Sequence, residues 1–334
     1  MTVVRYAYPP DVNTSIGYQK YYLLGLAKRA RVRFEGAPLP VRVVPTVRAK
    51  LSVGYRTAHG RSEAHVGRYS AEIAGRSVRF AIDAYDRREV RDPEALASCD
   101  VYFKSNRWPD DDGGEKVRPL VNGNGLLDGP KLRHLRGLRG AKKTVDVAYL
   151  SNVWGGREHS LRVFERLAAL DCSTDLLAIF PPGFPPGEDA ENIERMRAAG
   201  VPVTREPLPP RELWSRLSQA RVVPLRAGKH LCFSWRTIDL LAMGACVLFD
   251  ALPPPRWPVP LEAGAQVADC GITRRADTDA GEPAEYDKIA PAVEALLADA
   301  ARTTALRQAA AAYFDAHAAP ERVADYVLRT LARS

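Results

Sequence analysis

Residues 144–170 read TVDVAYLSNVWGGREHSLRVFERLAAL, and their pattern decides the fold. Thr144 to Leu150 begins an alternation of apolar and polar residues, as a strand does. The loop Ser151 to Glu158 then opens a helix carrying Leu161, Phe164, Leu167 and Leu170 at helical spacing. Strand, short loop and helix together form the opening unit of a parallel sheet covered by helices. Downstream the unit repeats. Asp175 to Phe180 reads as a strand, Pro181 to Gly187 as a rigid loop and 189–199 as a helix. A short Val201–Val203 strand, a helix over 210–220 and a strand from Arg221 to Leu225 follow. Arg236 to Met243 is helical, Ala245 to Asp250 is a strand, and helices over 287–299, 302–316 and 321–331 close the chain.

Upstream the same grammar begins at residue 3. Val3 to Tyr8 is a strand, Pro9 to Gly17 a polar loop, and a helix bearing Tyr21, Tyr22, Leu24 and Leu26 ends near Lys28-Arg29-Ala30. Val32-Arg33-Phe34 is a second strand, and residues 41–56 are strand-like. Ser77 to Ile82 is another strand, a short helix covers 93–98, and strands follow over 100–104 and 117–121. The expected architecture is therefore α/β, with two Rossmann-like domains of parallel strands, 1–140 and 141–317, facing a cleft. A last helix, 318–334, packs back on the first domain. Ligands in such sheets bind at the C-terminal strand ends. That singles out the loops 9–17, 83–92, 104–114, 151–158, 181–187 and 226–236. KLRHLRGLRGAKK (131–143) reads as a linker or hinge-side helix.

Composition agrees with a globular enzyme. The chain has 334 residues, of which 46% are hydrophobic and 26% charged, so it is rich enough in apolar groups to fold. The N-terminus lacks the features of a signal peptide, and no apolar run approaches the roughly 18–20 residues that span a bilayer. A cytoplasmic protein is expected. The five cysteines, Cys99, Cys172, Cys232, Cys246 and Cys270, show no CxxC spacing, which argues against a disulfide framework or a zinc knuckle. A net charge of +8 favours anionic ligands. The basic residues are scattered apart from 131–143, unlike the single basic face of a nucleic-acid binder.

The most specific segment runs from Ser234 to Leu248, SWRTIDLLAMGACVL. A loop with Arg226, Gly228, Lys229 and His230 meets a helix whose start carries Ser234 and Arg236. Free backbone N–H groups and the helix dipole there suit a diphosphate, and Arg236 adds charge-assisted hydrogen bonds. Asp239, three residues on, falls on the same helix face as Arg236 and suits ribose hydroxyls. The plainer alternative is an N-cap followed by a surface ion pair. Gly155-Gly156-Arg157 offers a second approach to phosphate. Asp83 and Asp86 end a strand at the expected cleft, where a carboxylate can act as general base. Asp110-Asp111-Asp112 contains a D-x-D pattern but lies in a turn composition, Pro-Asp-Asp-Asp-Gly-Gly, so a loop is expected and no metal site. His59 and His65 are the one close histidine pair and lack a third ligand. His159 reads as structural.

R-x-x-[ED]-x-L-A-x-G-x-x-V, here Arg236 to Val247, resembles the donor-binding segment of GT-B glycosyltransferases, in the group with an E-x7-E motif. In that family the second acidic residue binds the nucleotide ribose, and Asp239 stands at its position. The first acidic position falls on Leu231. Leu208 to Pro224 looks like the family's preceding helix and strand, with the nucleobase held by backbone near Glu206–Leu208. Ser15-Ile16-Gly17 sits where the family has a glycine-bearing loop near donor and acceptor.

The resemblance implies a metal-independent enzyme with no cofactor, moving a sugar from a nucleotide-diphosphate sugar to an acceptor hydroxyl on a small molecule or glycan. It places the donor on the second domain (Arg226, Lys229, His230, Ser234, Arg236, Asp239, Arg157, Leu208). The acceptor then lies on the first, with Asp83 or Asp86 catalytic and Ser15 and Gly17 nearby. No nucleic-acid partner is expected, while the positive charge is compatible with peripheral membrane contact. Two other readings fit the same residues. One is a sugar-nucleotide epimerase of the same fold, and the other a non-catalytic protein binding RNA or another polyanion through 131–143.

Overall fold

The computed structural model describes residues 2–7, 16–35, 65–111, 114–153, 157–181, 186–228, 230–275 and 285–334. The strand-like stretch 41–56, Ser15, Asp112, Gly155-Gly156 and Lys229 lie outside the described residues. The first half comprises β1 (Val3–Ala7), α1 (Ile16–Arg29), β2 (Arg31–Glu35), β3 (Val66–Ile73), β4 (Arg76–Asp83), α2 (Pro93–Ser98), β5 (Val101–Lys104) and β6 (Val117–Pro119). Among the described residues these strands form one sheet in the order β2-β1-β3-β4-β5-β6.

The expectation of a wholly parallel first sheet is corrected here. β3 runs antiparallel to both of its neighbours, β1 and β4. The cause is a two-residue turn, Ala74-Gly75, with φ of 51° and 77°. Positive φ at both positions is the geometry that closes a tight hairpin. The hairpin buries Tyr69, Ala71 and Ile73 on alternate positions of β3. Tyr69 stacks on Phe80 of β4 at 4.8 Å.

A helix, α3 (Gly129–Gly137), and a 3-10 turn (Leu138–Gly140) lead to the second half. Four basic residues of 131–143 make internal bonds. Lys131 donates to the Leu126 carbonyl, Lys143 to the Ser218 carbonyl, and Arg136 and Arg139 to Asp315. The 131–143 stretch therefore stitches elements together, while Arg133 and Lys142 stay exposed. The second half holds β7 (Val145–Asn152), α4 (Arg157–Ala168), β8 (Thr174–Ile179), α5 (Pro186–Ala198), β9 (Val203–Thr204), α6 (Pro210–Ser218) and β10 (Ala220–Leu225). It continues with α7 (Trp235–Ala242), β11 (Val247–Phe249), β12 (Ala268–Asp269), α8 (Ile289–Ala298) and α9 (Ala300–Tyr313). A π turn (Phe314–Ala318) then leads into α10 (Pro320–Arg333). Its sheet has the order β12-β11-β10-β7-β8-β9, and every pairing is parallel. The two sheets make an α/β molecule of two Rossmann-like halves. No helix among the described residues is long and apolar enough to cross a membrane.

One apolar cluster joins the halves. It contains Tyr21, Phe80 and Phe103 from the first, Leu150, Ile238 and Phe249 from the second, and Val323 and Val327 from α10. The chain's last helix lies against its first. The Tyr21 hydroxyl donates to the Ala318 carbonyl at 2.5 Å, and Lys28 and Arg29 pair with Glu321 and Asp325. The ion pairs are partly exposed and add little. The apolar contact and the buried tyrosine bond carry the join.

The closest approach is at Gly25, where a Cβ would stand 1.9 Å from the Pro320 carbonyl oxygen. Alanine would gain about 1 kcal/mol of helix propensity at that position. The clash is with backbone, which cannot rotate away, so overpacking of roughly 1–3 kcal/mol outweighs that gain. Gly25→Ala is therefore expected to lower the urea midpoint. Unchanged stability would show that α1 and α10 are not held at this distance.

Candidate functional site

In the second sheet the strand order reverses between β7 and β10, which are neighbours although two strands and three helices separate them in sequence. Such a switch point leaves a crevice at the C-terminal strand ends. The loop after β10 and the N-terminus of α7 occupy it. Asp250, at the end of β11, builds that loop. One of its carboxylate oxygens accepts the Ala227 N–H at 2.8 Å and the Ala251 N–H at 2.7 Å. The other shares a hydrogen bond with His159 Nε2, whose Nδ1 meets the Tyr286 hydroxyl. His159 is fully buried, so it is structural, as its sequence position suggests.

Arg236, in the first turn of α7, is half-buried, and its Nη1 donates to the Leu150 carbonyl at the end of β7. It has no ion pair among the described residues, and Arg226 lies within electrostatic reach. Arg226 donates to Ser160 Oγ at 2.8 Å. Burial lowers the pKa of Arg236, with the Arg226 charge acting in the same direction. An anion between the two guanidinium groups would relieve both effects. Ser234 is the N-cap residue of α7, yet its hydroxyl makes no cap bond and is buried without a partner. A buried hydroxyl with no acceptor at a helix start fits a ligand oxygen. His230 is half-buried in the same loop, where Leu231 adopts a positive φ of 51°. Arg157 begins α4, and Leu208 lies half-buried in the loop between β9 and α6.

Asp239, which the resemblance assigns to the ribose, has a buried carboxylate with two internal donors. One oxygen accepts Asn124 Nδ2 at 2.8 Å and the other accepts Trp214 Nε1 at 2.9 Å. Helical spacing placed Asp239 near Arg236 but did not show what covers it. Nor is the pair a surface salt bridge, since Asp239 is only 6% exposed. Asn122 makes a parallel link, donating to the Phe233 carbonyl. Asn122 and Asn124 thus fasten the end of the first sheet to both ends of the α7 segment.

Across from α7 stand the residues of the first sheet. Gly17 lies in the first turn of α1, and one residue on, Tyr18 brings its ring within 5.2 Å of Trp235. Of the two carboxylates expected at the end of β4, Asp83 is fully buried, and its oxygens accept the Tyr85 N–H, the Arg91 N–H and the Tyr102 hydroxyl. Lys104 Nζ stands 3.5 Å from it. Those bonds shape the 84–91 loop. Asp86, three residues on, is exposed. Its charge reaches Tyr18, His65, Lys104 and, across the interface, Cys232. His65 is the residue the sequence reading passed over. Its ring packs 4.2 Å from Tyr18 and 4.9 Å from Tyr85, with Nδ1 buried and unpartnered. Burial lowers its pKa against the pull of Asp86 and Asp83. Its only sequence signal was a weak spacing to His59.

The D-x-D pattern is engaged elsewhere. Asp111 accepts from Arg88 and from the Trp108 N–H, and Asp110 pairs with Arg88 at 3.0 Å. Among the described residues no three His, Cys, Asp or Glu side chains gather closely enough for a metal ion.

No family model and no curated protein matches the chain. Solved structures are similar at a distance. A glycosyltransferase from Rickettsia africae shares 10% identity over 72% of this chain and 64% of its own, with a TM-score of 0.47. Anabaena HepE in complex with UDP and glucose shares 14% over 72% and 65%, also at 0.47. Sucrose-phosphate synthase from Thermosynechococcus elongatus shares 17% over 73% and 63%, at 0.46. The chain spans less than two thirds of the length of each of these proteins. At such scores no site or substrate follows from the likeness.

Burial pushes the Asp239 carboxyl from 3.8 up to about 6, against the opposing donors Trp214 and Asn124 and the Arg236 charge. The folded chain therefore holds this proton more tightly than the unfolded one. The stability so gained is present below about pH 4 and is lost as pH rises through about 6. It amounts to on the order of 3 kcal/mol. Urea denaturation across this range is expected to show the slope in the wild type and not in Asp239→Asn. At neutral pH the variant is expected to be weaker by about 1–3 kcal/mol, because its amide N–H faces another donor. Parallel pH profiles for the two proteins would contradict this placement.

Proposed function

We propose that the chain is a glycosyltransferase moving a sugar from a nucleotide-diphosphate sugar to an acceptor hydroxyl. The observation that carries the reading is the switch point. There Arg226, Arg236 and the orphaned Ser234 hydroxyl converge at the start of α7, opposite Tyr18, His65 and Asp86 on the other sheet. The two-Rossmann architecture and the Arg236–Val247 segment support it from the side of sequence resemblance.

In this reading the donor diphosphate lies against the start of α7. Arg236 and Arg226 receive its negative charge, with Lys229, His230 and Arg157 completing the lining. The nucleobase rests on the loop at Leu208. The bond between the sugar's anomeric carbon and the diphosphate breaks, and a bond to the acceptor oxygen forms. The acceptor proton passes to Asp86, the exposed carboxylate of the pair at the end of β4. His65 stands beside it as a neutral imidazole able to share that proton. Charge developing on the leaving diphosphate is stabilised by fixed guanidinium groups and helix N–H donors, the part a metal ion plays elsewhere. Closure of the two halves would keep water from the donor.

A thermal-shift screen against UDP, GDP, dTDP, CDP and ADP is the direct test, because a ligand that binds the folded state alone raises its melting temperature. At least one is expected to bind, and Arg236→Ala to weaken it by about ten- to a hundredfold, the equivalent of roughly 1.5–3 kcal/mol. Circular dichroism checks that the variant folds. If no nucleoside diphosphate shifts the transition, the donor reading fails.

Once a donor is known, Asp86→Asn is expected to lower turnover by about 10²–10⁴ with little change in nucleoside-diphosphate affinity. His65→Gln is expected to lower turnover less. Full activity in Asp86→Asn removes that carboxylate from the reaction. EDTA is expected to leave the rate unchanged. A loss restored by Mn²⁺ would overturn the metal-independent step.

A further inference from the structure

A cavity of about 300 Å³ opens at the C-terminal edge of the first sheet, outside the switch point. Arg88 and Glu89 form one side, Lys104 and Arg107 another, and Val117 part of an apolar wall. Its volume suits a small ligand or one arm of a larger one.

The charges around it do not cancel. Arg88 is held by Asp110 and Asp111, and the second oxygen of Asp111 is taken by the Trp108 N–H. Lys104 is almost wholly buried. It donates to the Tyr85 carbonyl at 2.8 Å and stands 3.5 Å from Asp83. Glu89 reaches Arg87 at 3.7 Å. Arg107 is different. Its Nη1 donates to the Val117 carbonyl, and it has no ion pair among the described residues. One guanidinium therefore lines the cavity without an ion pair among the described residues. Beside it, Arg88 lies 5.0 Å over the Trp108 ring, whose Nε1–H is a buried donor with no acceptor. Two carboxylates, Glu89 and Asp111, also line the hollow, but Asp111 is engaged by Arg88 and the Trp108 N–H, so the guanidinium of Arg107 beside Val90 and Val117 suits an oxyanion, since arginine forms its strongest bonds with phosphate and carboxylate.

The cavity is also tied to the cleft. Residues 86–89 run from one to the other, and the Lys104 ammonium feels the charges of both Asp86 and Glu89. We infer that the cavity holds a phosphate or carboxylate group of the acceptor, with Arg107 as its principal partner, while the acceptor's hydroxyl lies at Asp86. This rests on the proposed acceptor role of the first sheet and adds the class of acceptor: one bearing an anionic group close to its reacting hydroxyl.

The test is calorimetric titration of the full chain with glycerol 3-phosphate, glycerate and glycerol. Saturable binding of an anionic probe and none of glycerol is expected. Arg107→Gln is expected to weaken it at least tenfold, and Arg107→Lys to restore part of it. Nucleoside-diphosphate binding is expected to be the same in all three proteins and not to compete. Sedimentation with phosphatidylglycerol vesicles separates a lipid-borne phosphate from a soluble one, and binding of either that Arg107→Gln removes supports the site. Binding of no anionic probe, binding untouched by Arg107→Gln, or displacement by a nucleoside diphosphate overturns it. A failed nucleotide screen with intact glycerol 3-phosphate binding would strike the donor reading alone.

Discussion

The Asp239 carboxylate, buried between Trp214 and Asn124, governs how the two halves meet. A charge removed from water without partners costs far more than a domain's net stability allows, so it dictates its surroundings. Here it demands an indole donor from α6 and an amide donor from the loop after β6. Meeting both demands fixes α7 against the first sheet. Because Arg236 lies one helical turn before Asp239, fixing the one also sets where the other can reach. The second link, Asn122 to Phe233, stops the segment from pivoting about the first. The geometry of the switch point is thus set from behind, by buried side chains that bond one another.

Two other buried aspartates do similar work at strand ends. Asp83 closes β4 by accepting N–H groups from the loop that follows it, and Asp250 closes β11 by accepting from Ala227 and Ala251. Each also bonds an aromatic or imidazole neighbour, Tyr102 in one sheet and His159 in the other. Turning a chain sharply at a strand end strands backbone donors, and a carboxylate can satisfy two or three of them at once. The residue beyond such a turn can stay at the surface, as Asp86 does beyond Asp83.

Much of this was legible in the sequence. Periodicity located β1, α1, β7, α4 and α7, because a strand or helix that buries one face must repeat apolar residues at a fixed interval. It missed β3, whose Arg68, Ser70 and Glu72 share the strand with a glycine and an alanine. It also missed β12, which has two residues. The site was legible as a region more than as roles. Strand-end position singled out Asp83, Asp86, Arg226 and Ser234, but position says nothing of which carboxylate is buried. Asp83 and Asp239 were both read as open to ligand, and both are spent on internal donors. His65 escaped because its neighbours, Tyr18 and Tyr85, come from distant parts of the chain.

The join between α1 and α10 also bears on how the protein is made. The apolar side of α1 emerges from the ribosome well before its cover, Val323 and Val327 with the Ala318 carbonyl. Between them the whole second sheet must be translated. The first half therefore waits through the synthesis of the second sheet with a face that α10 later covers, a condition in which nascent chains are prone to aggregate. A truncated transcript would yield a second sheet with all its strands beside a first half that can never be sealed.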